Sequence, residues 1–142
     1  MDVTSLSFAV WAAALPMIIY LGVIWWLDRY EREPFWMVAL TFGYGALFAI
    51  AFSLVGTVLV TRFFGIDPTD MTATATWVAP LVEEPGKASI LFLLLLSRHF
   101  DNTTDGLIYG AAVGLGFAMT ENFLYFRKFQ LAGDSETTLV GL

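Results

Sequence analysis

The sequence predicts an all-α polytopic transmembrane helix bundle with four membrane-spanning helices, which form a single membrane domain over residues 1–142. Composition is the first reason: the 142 residues are 58% hydrophobic and 14% charged, whereas soluble domains carry about 25% charged residues. The second reason is that several apolar segments reach the length of about 20 residues that a helix needs to cross a bilayer. The third is that short connections join these segments, which favours antiparallel packing of consecutive helices.

Net charge and cysteine content exclude several functional classes. The formal net charge is −6, whereas nucleic-acid binding requires a basic surface, so we expect no nucleic-acid partner. The sequence contains no cysteine, which excludes disulfides, thiolate metal sites and cysteine nucleophiles. The lipid bilayer is therefore the first partner that the composition predicts.

The first two apolar segments predict uninterrupted spanning helices. Residues 8–27 carry no charge and are too long for the apolar core of a signal peptide. The basic flank of a signal peptide is also missing, because Asp2 is the charged residue that precedes the segment. We therefore expect an uncleaved anchor helix. Residues 35–60 are also uncharged and are long enough to cross with a tilt.

The third and fourth apolar segments are interrupted by charge. Residues 73–97 contain Glu83, Glu84 and Lys87, and residues 106–126 contain Glu121. Residues 127–142 are predicted to form a polar tail.

Basic residues beside the first helix predict its orientation. Arg29 and Arg32 follow the helix, whereas the flank before it has neither Lys nor Arg. Because basic loops stay on the cytoplasmic side, we expect the N-terminus outside. The basic residues of the whole chain divide equally between the two sides, so the first helix decides the prediction.

The charges within the apolar segments are the main indication of function. Each would cost on the order of 2–3 kcal/mol at the bilayer centre if it were unpaired, so we expect them to face the bundle interior or a water-filled cavity. Lys87 lies four residues after Glu83 and three after Glu84, within ion-pairing reach of both. One carboxylate is then neutralised and the other is free for general acid–base chemistry. The alternative is a structural ion pair that fixes helix packing.

The fourth segment contains the residues that would complete a site. Its small residues are spaced four apart and would let the third segment approach closely; they are Gly106, Gly110 and Gly114. Antiparallel crossing then brings Glu121 level with Glu83 and Glu84. Asn122 is an amide donor beside Glu121, either for an oxyanion or for an interhelical hydrogen bond.

Two further groups near the fourth segment have competing interpretations. Asp105 and Tyr109, one turn apart, either support the site or stabilise the start of the helix. His99 is the only histidine of the sequence and is expected to be solvated in a loop. No HExxH motif is present, and three glutamates alone form a poor zinc site, because catalytic zinc sites usually include histidine.

These motifs resemble those of a known family. Glu83-Glu84-x-x-Lys87 matches the EExxK motif of the PrsW family of intramembrane proteases. The run DGLIYG from Asp105, followed by GLGFA from Gly114 and by Glu121-Asn122, is similar to that family's second signature. Residues 28–34, DRYEREP, are similar to the acidic, proline-ended loop after its first helix. The resemblance covers roughly residues 8–130.

The resemblance implies a function and a set of partners. Members of the family are polytopic membrane proteases, distantly similar to CAAX-processing endopeptidases, and the expected substrate is a membrane-anchored protein such as an anti-sigma factor. The expected location is the prokaryotic cell membrane. Glu83 and Glu84 would be the catalytic pair and Glu121 an assisting carboxylate. Members are usually described as metalloproteases, which implies a divalent metal such as zinc, whereas the CAAX enzymes are argued to use glutamate-activated water without metal.

The sequence departs from the family pattern in one respect. The family typically carries a third motif, with histidine on a later transmembrane helix, and these 142 residues do not contain it. Three explanations are open: the chain is truncated, it has lost a catalytic element, or it completes its site by oligomerisation. The alternative function is a catalytically incomplete membrane scaffold or binding protein of the same fold. A proton or ion pathway through the carboxylates is a weaker third possibility.

Overall fold

A computed structural model describes residues 3–28, 33–97 and 100–140, and within these ranges the chain is helical without any strand. This confirms the all-α prediction. The α-helices are α1 (Val3–Leu27), α2 (Phe35–Tyr44), α3 (Ile50–Phe64), α4 (Met71–Ala73), α5 (Ala79–Leu95) and α6 (Thr103–Val140). Two π-helices, π1 (Gly45–Ala49) and π2 (Thr74–Val78), join α2 to α3 and α4 to α5.

Three helical segments of the described chain are long and apolar enough to cross a membrane. They are Thr4–Leu27, Phe35–Phe64 and Thr103–Ala132. The predicted third segment, residues 73–97, is helical but is not among them, because Glu83, Glu84 and Lys87 all fall within α5. The predicted number of four spanning helices is therefore not confirmed.

Helix α6 is the centre of the fold, with α1, α2, π1 and α5 packed against it. The core holds residues from α2, α5 and α6, which are Met37, Val38, Ile90, Leu94, Ile108, Tyr109, Ala112 and Val113. Large apolar side chains cover much of the outer surface, as expected for helices that face lipid.

The contacts between helices give their relative directions. Gln130 near the end of α6 donates to the Ser5 carbonyl near the start of α1 (2.9 Å), so these two helices are antiparallel. Tyr109 meets Met37, and Thr120 donates to the Ala46 carbonyl (2.7 Å), so α2 and π1 run parallel to α6. Helix α1 thus runs opposite to both the second apolar segment and α6. Helix α5 lies between these two in the chain and runs opposite to α3, since Gly86 meets Phe52 and Gly56 meets Val82, so consecutive long helices alternate in direction as the short connections predict.

The closest helix approach lies between α6 and the second apolar segment. A Cβ on Gly116 would overlap the Phe42 carbonyl, and a Cβ on Gly45 would overlap the Val113 carbonyl. The predicted ridge of Gly106, Gly110 and Gly114 does not form this contact: a Cβ at position 114 would meet nothing within 4 Å, and one at position 110 would make ordinary contact with Leu91 of α5. The helix face with the close backbone contact is therefore different from the predicted one.

The predicted polar tail is the continuation of α6. The helix has 38 residues and ends at Val140. Its length is roughly 57 Å at 1.5 Å per residue, well beyond the hydrocarbon thickness of about 30 Å. The residues after the fourth apolar segment therefore extend the same helix beyond the length that a single crossing needs.

Candidate active site

Glu83 and Glu121 line the same two clefts. The structure therefore brings together two of the carboxylates predicted from the sequence, while their predicted catalytic roles stay predictions. The first cleft, here called the small cleft, has a volume of about 230 Å³ and lies between α3, α5 and α6. The second, the large cleft, has about 420 Å³ and lies between π2, α5 and α6. Tyr125 also lines both, whereas Glu84 lines the large cleft alone.

Lys87 contacts both adjacent glutamates, as their spacing predicts. Its Nζ lies 2.9 Å from Oε1 of Glu84 and 3.5 Å from Oε2 of Glu83. The ammonium group also lies 4.1 Å from the centroid of the Phe117 ring on α6, a cation–π contact that fixes its position. The shorter ion pair belongs to Glu84, so Glu83 is the less neutralised carboxylate.

The two adjacent glutamates differ in environment. The Glu84 side chain is 70% exposed, whereas that of Glu83 is 24% exposed. An exposed ion pair contributes about 0–1 kcal/mol, so the Glu84 pair adds little to stability. Glu83 is the carboxylate that two clefts and two helices enclose.

Close packing of α3 on α5 fixes the position of Glu83 along the helix axis relative to α3. A Cβ on Gly86 would lie 2.9 Å from Cδ1 of Phe52, and a Cβ on Gly56 would overlap the Val82 side chain. A larger residue at either position would require the facing side chain of Phe52 or Val82 to shift, or the two helices to move apart. Val82 and Gly86 flank Glu83 on α5, so this contact holds the carboxylate in place.

Several predicted site residues lie elsewhere. Asn122 is not among the residues that line either cleft. Asp105 lies roughly 24 Å from Glu121 along α6 at 1.5 Å per residue, and Tyr109 lies in the apolar core, so neither supports the carboxylate site. His99, Arg29 and Arg32 fall outside the described residues.

Asp105 forms a capping box at the start of α6. Its Oδ2 accepts from the backbone N–H groups of Asp101 (2.8 Å) and Asn102 (3.0 Å). In return, Oδ1 of Asn102 accepts from the Asp105 N–H (3.0 Å). This reciprocal pattern satisfies backbone donors that a helix start leaves free, which is the structural interpretation of Asp105.

Tyr109 joins Asp105 to the loop after α1. Its hydroxyl donates to Oε2 of Glu33, and the Glu33 carboxyl group lies near enough to Asp105 to feel its charge. The Glu33 N–H donates to Oδ2 of Asp28 (2.9 Å). We call these four buried residues the Tyr109 cluster. Sequence reasoning placed Glu33 only in an acidic loop, because its partner lies 76 positions away in the chain.

Burial raises the pKa of Glu33 above its ordinary value of 4.5, and the charge of the neighbouring Asp105 raises it further. The hydrogen bond from Tyr109 acts in the opposite direction and lowers it. The nearby Asp105 carboxylate therefore favours the protonated form of Glu33.

The fit of a metal ion can be tested on the donor set. No three His, Cys, Asp or Glu side chains of the described residues lie close enough together to hold a metal ion. The glutamates of the two clefts offer oxygen ligands only, whereas three-ligand catalytic zinc sites usually include histidine. The described residues therefore do not fit a metal centre.

Ser53 is a cleft residue that the sequence analysis missed. It is buried on α3 and lines the small cleft together with Glu83 and Glu121. The sequence offers one signal, since Ser53 is the single serine within the apolar residues 35–60. The hydrophobic pattern does not say which way that residue faces.

The family model described as PrsW family intramembrane metalloprotease matches residues 33–142. A protease PrsW of Geobacillus kaustophilus is 32% identical over 129 residues, covering 90% of this chain and 54% of the relative. A protease PrsW of Clostridioides difficile is 34% identical over 114 residues, covering 80% and 48% respectively. A protease PrsW of Bacillus subtilis is 32% identical over 120 residues, covering 83% and 54%.

The chain spans about half the length of the curated relatives that it matches. No solved structure matches it significantly.

Proposed function

The chain belongs to the PrsW family of intramembrane metalloproteases, and on that premise we propose that it hydrolyses a membrane-anchored protein with water activated by Glu83. One observation carries the choice of residue. Glu83 lines both clefts with Glu121, whereas Glu84 is exposed and lies closer to Lys87. A base must reach the reacting water and must be free to accept a proton. Glu83 meets both requirements better than its neighbour.

The proposed reaction uses the carboxylates of Glu83 and Glu121. Water donates a proton to the Glu83 carboxylate while its oxygen attacks the carbonyl carbon of the substrate peptide. The electron pair of the carbonyl double bond moves to the oxygen and forms a tetrahedral oxyanion. Collapse of that intermediate breaks the carbon–nitrogen bond, and Glu83 returns the proton to the leaving amine. Glu121 holds the water by accepting its second hydrogen.

The position of the clefts supports cleavage near a membrane surface. Glu121 is roughly 24 Å beyond Asp105 along α6, so the Tyr109 cluster and the clefts occupy opposite sides of the bilayer. Residues 71–95 form a continuous helical segment of about 35 Å, and we propose that it crosses as a fourth helix with its charges turned to the clefts. With the N-terminus outside, the clefts lie in the outer half of the cell membrane. An anti-sigma factor anchored there is the type of substrate that fits.

Cleavage of a single-pass membrane reporter, tagged on both sides of the bilayer, tests the proposal. We expect the wild-type chain to release a fragment and Glu83→Gln to abolish release, because the amide cannot accept the water proton. Glu84→Gln is the matched control, since it removes the neighbouring carboxylate and leaves Glu83 in place; we expect it to retain measurable cleavage. Insertion of all three chains is checked by membrane fractionation.

Two results would contradict this function. Cleavage by Glu83→Gln at the wild-type rate would remove the assigned base. The wild-type chain should also be tested with a second, differently tagged copy of itself, which allows it to oligomerise. If the inserted chain cleaves in neither case, a scaffold that binds a partner helix without chemistry is favoured.

A further inference from the structure

Ser53 provides the small cleft with a buried hydroxyl. The residue lies on α3 and is 8% exposed. Glu83 and Glu121 line the same cleft from α5 and α6. The cleft therefore combines two hydrogen-bond acceptors with a group that can donate.

The Ser53 hydroxyl is uncommitted among the described residues, unlike three hydroxyls of α2, α3 and α5. Thr41 donates to the Met37 carbonyl (2.8 Å), Thr61 to the Thr57 carbonyl (2.8 Å), and Ser89 to the Gly86 carbonyl (2.7 Å). Back-bonding of this kind is the usual arrangement for Ser and Thr within helices. Ser53 makes no such bond among the residues that the structure describes, so its proton is available for a ligand.

The usual acceptor for a serine within a helix would be the carbonyl four residues earlier, which here is that of Ala49, where π1 ends. That carbonyl lies close to α5, since a Cβ on Gly86 would lie 3.4 Å from it.

Ser53 and Glu83 lie at the same depth. Phe52 meets Gly86 and Gly56 meets Val82 across the antiparallel α3–α5 contact. Interpolation between these contacts places position 53 within roughly 3 Å of the level of Glu83 along the helix axis. A carbonyl group of a substrate attacked by water on Glu83 would then be within reach of the serine.

We propose that Ser53 is a further catalytic residue, whose hydroxyl donates a hydrogen bond to the oxyanion of the tetrahedral intermediate. The inference rests on the proposed function and adds the donor that its carboxylates cannot supply. When water adds to the carbonyl carbon, the oxygen that receives the electron pair binds the Ser53 proton without taking it. When the carbon–nitrogen bond breaks, the pair returns to the carbonyl and the hydrogen bond weakens.

Burial distinguishes Ser53 from the other donors of the small cleft. Tyr125 and Lys128 also line it, but both are exposed, so water screens them. A donor that its helix holds in place before the reaction stabilises an oxyanion without reorganisation. Asn122, the donor expected from the sequence, does not line the cleft.

Kinetics of reporter cleavage test the role. Ser53→Ala should lower kcat by about 100-fold or more, the usual effect of removing one oxyanion donor, with KM unchanged. Ser53→Thr keeps a hydroxyl and should restore most of the rate. Thr61→Val is the matched control, because it removes a back-bonded hydroxyl from the same helix away from the clefts; its kcat should equal that of the wild type.

A labelling experiment tests the position of the hydroxyl without relying on catalysis. The sequence has no cysteine, so Ser53→Cys and Thr61→Cys each introduce a single thiol. A small charged methanethiosulfonate should label the thiol at position 53 from water and should leave that at position 61 unlabelled. Addition of the reporter peptide should slow labelling at position 53.

The outcomes separate this inference from the function on which it rests. Cleavage by the wild type but not by Glu83→Gln, together with an unchanged Ser53→Ala, would overturn the role of Ser53 alone. An unlabelled thiol at position 53 would overturn it as well, since the oxyanion needs the same space. A wild type that does not cleave would overturn the proposed function, and the labelling result would then show only whether water reaches Ser53.

Discussion

The two ends of α6 each hold carboxylates, and their surroundings differ. In the Tyr109 cluster, Asp105 is 2% exposed and accepts from two backbone N–H groups, while Tyr109 donates to Glu33. In the clefts, Glu83 is partly open and has one ion pair at 3.5 Å. One region has its acceptors satisfied and the other leaves them available.

This difference separates a structural carboxylate from a functional one. Buried polar groups cost stability unless they are hydrogen-bonded, and the Tyr109 cluster meets that condition with bonds from three parts of the chain. The clefts keep carboxylates that water or a substrate can still reach. Asp105, Glu83 and Glu121 were all candidate site residues in the sequence, so hydrogen-bond saturation is the property that distinguishes the two regions.

Removal of Asp105 should produce the largest loss of stability and would sharpen the comparison. Asp105→Ala deprives two backbone N–H groups of their acceptor and removes a carboxyl group from the buried Tyr109 cluster. We expect a loss of about 2–4 kcal/mol, from a lost helix cap and unsatisfied buried groups. Thermal unfolding in detergent measures it, with Glu83→Gln as the carboxylate control that should unfold like the wild type. Equal losses in both variants would contradict the division into two kinds of carboxylate.

Loss of the tyrosine hydroxyl should have a smaller effect in the same region. Tyr109→Phe keeps the ring in the core and removes the donor to Glu33. We expect a loss of about 1–3 kcal/mol, the cost of leaving a buried acceptor unsatisfied. Tyr125→Phe is the matched control, because Tyr125 is exposed on the same helix and its hydroxyl should contribute little to unfolding. An effect of Tyr109→Phe no larger than that of the control would break the assignment of the cluster as structural.

The pH dependence of stability should show the smallest effect. Burial raises the pKa of Glu33 above 4.5, and Asp105 and Asp28 face it together with Tyr109. The folded protein therefore holds a proton that the unfolded chain releases. This contribution to stability is complete below pH 4.5 and is lost as pH rises through the folded pKa.

The unfolding temperature of the wild type, measured in detergent, should thus fall as pH rises from 4.5 through the folded pKa of Glu33. In Glu33→Gln, which cannot titrate, the decline should be reduced. A decline of the same size in the variant would assign it to other groups.

Much of the site could be predicted from the sequence because it depends on spacing along one helix. Lys87 reaches both glutamates since residues three and four apart share a helix face. Glu83 and Glu121 meet because consecutive helices alternate in direction, which the short connections already imply. These features need no knowledge of how the helices are rotated about their axes.

The features that escaped prediction all depend on rotation or on distant contacts. The close approach of α6 occurs at Gly116 instead of the spaced glycines, because the face turned to α2 is set by the core residues around Tyr109. Asn122 follows Glu121 directly but does not line either cleft. Glu33 required a partner on another helix, and Ser53 required the phase shift of π1.

Helix π1 has a consequence for the evolution of the chain. A π-helix absorbs one more residue than a regular α-helical turn would, so the loss of one residue between Gly45 and Ala49 would restore a regular helix and leave the residues after it facing as before. Conversion of the π turn to a regular α-helical turn without loss of a residue would instead turn everything after it by about 100° relative to Met37 and Thr41. Ser53 would then face another direction while α2 stayed packed on α6. The orientation of Ser53 therefore depends on the π turn itself, and substitutions that restore a regular helix over Gly45–Ala49 should lower activity even where the segment stays equally apolar.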